Sequence, residues 1–187
     1  MADTYPQLND KLIAFIRRQK MFFVATAPLS GDGSVNLSPK GYDSLVVLDE
    51  RTIAYLDLGG SGIETHAHVR ENGRITLMFC AFEGAANIMR VYGRGEAVMF
   101  DDPGFAEQLA LFPGFSRARG VITVHITRVQ ESCGWAVPFY DYKGERDQLR
   151  RWVDNLDEEA WRERRYAGNA QSVDGLPGLV RPPLAAE

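Results

Sequence analysis

The stretch from Ile53 to Val69, IAYLDLGGSGIETHAHV, constrains the fold more than any other part of the chain. It opens as an apolar strand pattern, breaks at Gly59, Gly60 and Gly62, and resumes as a helix after Ser61. A helix that starts this way leaves its first amides without internal partners, at the positive end of its dipole. Such a start accepts a phosphate, and the glycines let the backbone come close because they lack a side chain and tolerate positive φ. The rest of the sequence bears on what phosphate this could be.

Around this stretch the pattern is mostly strand. MFFVATA, from Met21 to Ala27, is rich in β-formers; Pro28 through Gly33 supplies a turn, and SVNLSPKG returns as a hairpin ending at Lys40. Short strands are expected over 45–48 and 52–56, separated by Asp49, Glu50 and Arg51. ITLMFCAF forms a buried strand over 75–82 after a helix stop at Asn72 and Gly73. A long strand follows over 87–100, in which Gly93 and Gly95 mark a bulge, a bend or close backbone approach. In VITVHIT, Ile122, Val124 and Ile126 alternate with Thr123, His125 and Thr127, as a half-buried strand requires.

Helices are fewer. Asn9 caps one over 10–19 with Leu8, Leu12, Phe15 and Ile16 on one face. Asp101 or Asp102 caps a second, with Pro103 in its first turn, Phe105, Leu109 and Phe112 inward, and Pro113 with Gly114 as its stop. From Gly144 a third places Leu149, Trp152, Val153 and Leu156 on one stripe. A fourth opens on Asp157, Glu158 and Glu159 and closes on Arg162, Arg164 and Arg165 before Gly168. About seven strands with short turns predict an α+β protein on a small antiparallel, Greek-key-like barrel with peripheral helices. At 187 residues and 45% hydrophobic composition a single domain is expected over 1–187, with the barrel over about 10–134 and a helical C-terminal extension over about 135–187.

A net charge of -4 argues against nucleic acid as a partner. Neither a signal-peptide pattern nor an apolar run approaching about 18 residues is seen, so no membrane partner and a cytoplasmic location are expected. Cys80 and Cys133 have no CxxC spacing and are expected to be free, buried thiols.

VNLSPKG, IAYLDLGGSG with its helix, NGRITLMF and NIMRVYGRGEAV stand in an order that resembles the pyridoxamine 5'-phosphate oxidase-like flavoproteins. The resemblance covers Leu12 to about Gly134. It implies the FMN-binding split β-barrel fold and a homodimer with FMN at the subunit interface. It also implies an FMN-dependent oxidoreductase that passes hydride through flavin N5 to or from a small organic substrate. The alternative implied by the same fold is a non-catalytic flavin, deazaflavin or haem binding or sensing protein. Carried over by position, Asn36, Leu37, Ser38, Pro39 and Lys40 would lie along the flavin. Tyr55, Leu56 and Asp57 would lie near its ring or ribityl chain, and Gly60, Ser61, Gly62 and Thr65 around its phosphate. Asn87 and Arg90 would project toward it from the long strand. No catalytic side chain and no metal ligand are implied.

The chain departs from the vitamin-salvage enzyme of that family, whose serine is followed by two basic residues; here Gly62 and Ile63 stand there. Lys40 and Arg90 are the candidates to supply the missing charge, with Ser61 and Thr65 hydroxyls and backbone amides. Ser61 and Glu64 also fit a capping box, which needs no ligand. His66 and His68 are two apart on a helix, where side chains diverge, so they do not read as a metal pair. His125 reads as a surface or interface histidine, and Trp135 as either a cover for the flavin or an interface residue.

Overall fold

The computed structural model describes residues 3–182. Its strands are β1 (Asp3–Tyr5), β2 (Phe22–Thr26), β3 (Asn36–Lys40), β4 (Leu45–Asp49), β5 (Thr52–Asp57), β6 (Arg74–Cys80), β7 (Ile88–Met99) and β8 (Gly120–Ser132). They form one antiparallel sheet in the order β3-β2-β6-β7-β8-β5-β4, with β1 added on β8. β8 holds the sheet together by splitting its pairing: Gly120 to His125 bond β5, Val129 to Glu131 bond β1, and its whole length bonds β7. This is the curled sheet of a split β-barrel.

The bend in β7 is local. Its register with β8 shifts between Tyr92 and Gly93, and a Cβ on Gly93 would sit 2.6 Å from the His125 carbonyl oxygen, a separation that only glycine permits. Both expectations for that residue, a bulge and a close approach, are met.

Helix α1 (Asp10–Arg18) begins where Asn9 Oδ1 accepts the Leu12 amide at 3.0 Å, and buries Leu12, Phe15 and Ile16 with Leu8 in the barrel core. The barrel interior contains Val24, Tyr55, Leu77, Phe79, Met89 and Val124. Within it Phe22 meets Tyr55 edge-on at 5.6 Å and stacks on Phe79 at 5.8 Å. The other face of β5 carries Ala54 and Leu56 against Phe112 and Val121. Helix α2 (Glu64–Asn72) ends on Gly73 in the left-handed conformation.

Several expectations are corrected. Helix α3 is only Phe105–Leu109: Gly104 at φ 81° precedes it, and Asp102 accepts the Met99 amide at 2.8 Å to close a turn instead of capping the helix. Pro103 therefore lies outside it, while Phe112 still reaches the core from beyond the helix. The third predicted helix starts later, as α4 (Gln148–Asp154), with Asp147 at its cap position making no side-chain capping bond, and Leu156 lies beyond its end. Strand β1 adds to the expected strands, pairing Asp3–Tyr5 with Val129 to Glu131 of β8. Cys80 is buried but Cys133 is exposed. Helix α5 (Glu158–Gly168) starts as expected, with Asp157 accepting the Ala160 amide at 2.8 Å.

The extension docks through Tyr166 and Leu179 against Ile63 and Met99. That contact brings the chain after α5 back to the start of α2. Among the described residues no helix is long and apolar enough to cross a membrane, and no group of three or more His, Cys, Asp or Glu could hold a metal ion.

Candidate functional site

A cavity of about 510 Å³ lies between β3, the β5–α2 turn, Arg119 and the C-terminal segment 171–173. β3 is an edge strand, so its alternate side chains separate cleanly: Asn36, Ser38 and Lys40 face the cavity, and Leu37 and Pro39 face solvent on the other side. Pro39 lacks an amide donor and is tolerated because it sits on that edge.

The polar wall is ordered by its own bonds. Ser38 Oγ donates to Asn36 Oδ1 at 2.9 Å, and Asn36 Nδ2 donates to Thr65 Oγ1 at 3.0 Å and Thr26 Oγ1 at 3.2 Å. Thr26 Oγ1 in turn pairs with His68 Nδ1 at 3.0 Å, so α2 and β3 are held in a fixed relation.

The floor is ionic. Asp57, at the end of β5, accepts from Arg119 Nε at 2.9 Å and Nη2 at 3.1 Å, and both side chains are buried. Lys40 Nζ stands 4.0 Å from Asp57 Oδ1. Burial pushes the Asp57 carboxyl up, but Arg119, Lys40 and the Gly59 amide outweigh it and hold the group below its ordinary value. Arg119 Nη1 also donates to the Gly62 carbonyl at 2.6 Å, which fixes the turn after the glycines.

At that turn the capping box is not formed. Ile63 stands at the cap position without a side-chain bond, and Glu64 Oε1 accepts the Val173 amide at 3.1 Å. Among the described residues, the backbone amides from Gly60 to His66 donate to no protein acceptor. Gly60, Ser61, Gly62, Glu64 and Thr65 border the cavity, and Ile63 behind them is fully buried. Gly60 and Ser61 are exposed, so this run of free amide donors, beside Lys40 and Arg119, is open to an acceptor from outside the chain.

The structure gathers Asn36, Ser38, Lys40, Gly60, Ser61, Gly62 and Thr65 around one cavity, with Asp57 behind Lys40 and Arg119. Four of the expected residues do not line the cavity: β5 turns Tyr55 into the barrel core and Leu56 under α3, while Leu37 and Pro39 lie on the opposite face of β3. Asn87 and Arg90 are not on this wall. Asn87 Nδ2 donates to Glu131 at 2.7 Å, and Arg90 Nη1 to Ser132 at 3.1 Å. Within one chain, then, the charge around the cavity comes from Lys40 and Arg119 and not from Arg90.

Sequence reasoning missed Arg119 and the segment 171–173. Arg119 sits between Ala118 and Gly120 at the start of an apolar strand, a place where a charge needs a partner, and that was its only trace. The segment left none, because its place depends on where α5 docks. It is tied down by Asp174, which accepts from the Ser34 amide at 2.6 Å and hydroxyl at 2.9 Å.

Residues 8–133 match the family described as Pyridoxamine 5'-phosphate oxidase. The Pyridoxamine 5'-phosphate oxidase family protein ustO of Aspergillus flavus is 36% identical over 193 aligned residues, which span 94% of this chain and 77% of that one. Two crystal structures of HupZ from Group A Streptococcus, one of them a variant, are similar in fold. Their TM-scores are 0.54 and 0.51 at 21% and 22% identity, covering 66% and 65% of this chain and 98% and 91% of theirs.

Proposed function

Because the chain belongs to the pyridoxamine 5'-phosphate oxidase family, we propose that its cavity binds FMN and that it is an FMN-dependent oxidoreductase acting on a small organic substrate. The observation that carries this reading is the unpartnered amide run from Gly60 to His66 beside Lys40 and Arg119. A phosphate monoester supplies acceptors for those amides and charge for those cations.

The other residues fit the rest of such a ligand. Asn36, Ser38 and Thr65 offer hydroxyl and amide groups to a polyol chain next to the phosphate, and their mutual bonds fix them in place beforehand. Bound FMN supplies hydride transfer at its N5, and no side-chain nucleophile is required. Of the described residues lining the cavity none is His, Cys or Met, so the wall offers no axial ligand for haem.

A second copy of the chain completes the proposal. Trp135, Phe139 and Tyr140 are 88%, 79% and 62% exposed in one protomer, an aromatic stretch suited to an isologous interface. Light scattering that reports a monomer at micromolar concentration would refute the dimer.

The decisive measurement for the cofactor is the absorbance spectrum of freshly purified protein, with the released ligand identified by mass. FMN is the expected mass. A colourless protein that fails to take up added FMN refutes the proposal, and a Soret band would replace it with haem.

A further inference from the structure

We infer that Arg165 and Asn169, on and just after α5, are positioning residues for the anion cradle, in place of the basic pair missing after Ser61. The inference rests on the phosphate site proposed above and assigns its support to the C-terminal extension, outside the family-matched stretch 8–133.

Arg165 is 7% exposed, and among the described residues no carboxylate lies within ion-pair range of it. Its Nε is buried without a hydrogen-bond partner. Trp152 and Trp161 flank the guanidinium at 4.8 Å and 5.8 Å, which holds its plane in place. Its remaining end is aimed at the glycine turn: Nη1 donates to the Gly60 carbonyl at 3.5 Å and lies 2.6 Å from where a Gly59 Cβ would be. Asn169 Nδ2 donates to the same carbonyl at 3.2 Å.

Together with Arg119 on the Gly62 carbonyl, these donors hold the Gly60 and Gly62 carbonyls on the protein side. The intervening amides are then left for the cavity. The charge balance points the same way: Lys40 and Arg119 border the cavity with Glu64, Asp57 lies beside both cations, and Arg165 has Arg119 and Arg164 nearby against Asp57. Burial and the nearby Arg119 both disfavour the Arg165 cation, with Asp57 as its opposing charge. An anion bound at Ser61 relieves that repulsion. The ligand class is a phosphate monoester, and the Glu64 carboxylate is engaged by the Val173 amide.

The test compares ligands that differ only in the phosphate. FMN and riboflavin affinities are measured by fluorescence titration for the wild-type chain, Arg165→Gln, Arg165→Lys and Asn169→Ser, with inorganic phosphate as a thermal-shift probe. Arg165→Gln is expected to weaken FMN by about tenfold or more, as loss of a charge-assisted interaction does, with riboflavin changed less than about twofold. Arg165→Lys recovers part of that loss, and Asn169→Ser gives a smaller effect of the same selectivity. Equal losses for both flavins, which a merely structural role would produce, overturn the inference, as does unchanged FMN affinity in both Arg165→Gln and Asn169→Ser. If the wild type takes up neither flavin, the FMN reading fails by itself; the inference then holds only if phosphate raises the melting temperature of wild type and not of Arg165→Gln.

Discussion

Replacing Asp57 with Asn tests whether the buried pair beneath the cavity holds the β5–α2 turn. The carboxylate accepts two Arg119 bonds at 2.9 Å and 3.1 Å and the Gly59 amide at 3.3 Å, with Lys40 at 4.0 Å. Asparagine keeps the volume and one acceptor but leaves Arg119, 4% exposed, as an unmatched buried cation. Breaking a buried pair from one side costs about 3–5 kcal/mol. For a chain of this size each kcal/mol lowers the melting temperature by about 2–4 °C, so a cost of about 3 kcal/mol predicts a drop of about 6–12 °C. The pH dependence supplies a second signature. Asp57 is more acidic folded than unfolded, so its contribution is present above its unfolded value near 3.8 and is lost as pH falls through its lower folded value. Urea titrations of wild type and Asp57→Asn below pH 5 should therefore converge as the pH falls. A cost under about 1 kcal/mol at pH 7, or curves that stay parallel into acid, would refute the reasoning. Adding Arg119→Met to Asp57→Asn should recover part of the loss, because it removes the stranded charge.

Lys40→Ala should weaken FMN binding by about tenfold while changing stability by less than about 1 kcal/mol, since the residue removes charge and little core volume; unchanged affinity in a flavin fluorescence titration would exclude that role. Gly93→Ala should cost about 1–3 kcal/mol in urea melts, because its Cβ would meet the His125 carbonyl oxygen at 2.6 Å; a neutral substitution would mean the bulge relaxes. His66 is buried and held down to about 4, first by burial and then by Arg70, against an ordinary 6.5. The unfolded chain thus binds its proton first, so stability falls as pH drops from about 6.5 toward 4, and His66→Gln should flatten that limb in equilibrium unfolding.

Much of the site was legible because it follows from local pattern. The alternation in NLSPK places Asn36, Ser38 and Lys40 on one face, and the glycines before α2 announce the turn. The same alternation, applied to β5, would have sent Tyr55 and Asp57 to one face and Leu56 to the other. Position in a family motif could not say that the Tyr55 end of that face lies inside the barrel. Arg90 has the charge and the motif order, yet it stands near one end of β7, bonded to Ser132, while Met99 at the other end packs with Ile63 of the turn.

The sequence by itself determined the strands other than β1, their antiparallel class, the helix starts at Asn9 and Asp157, and the glycine turn that makes a helix start available to an anion. Each depends on residues within a few positions of one another, where propensity and periodicity act. Only the tertiary structure decided which charges meet that turn. Arg119 reaches Asp57 from 62 residues away, and Asn169 reaches Gly60 from 109, through the pairing of β5 with β8 and the docking of α5. Contacts of that separation are set by how whole elements pack, and no local pattern in the chain encodes them.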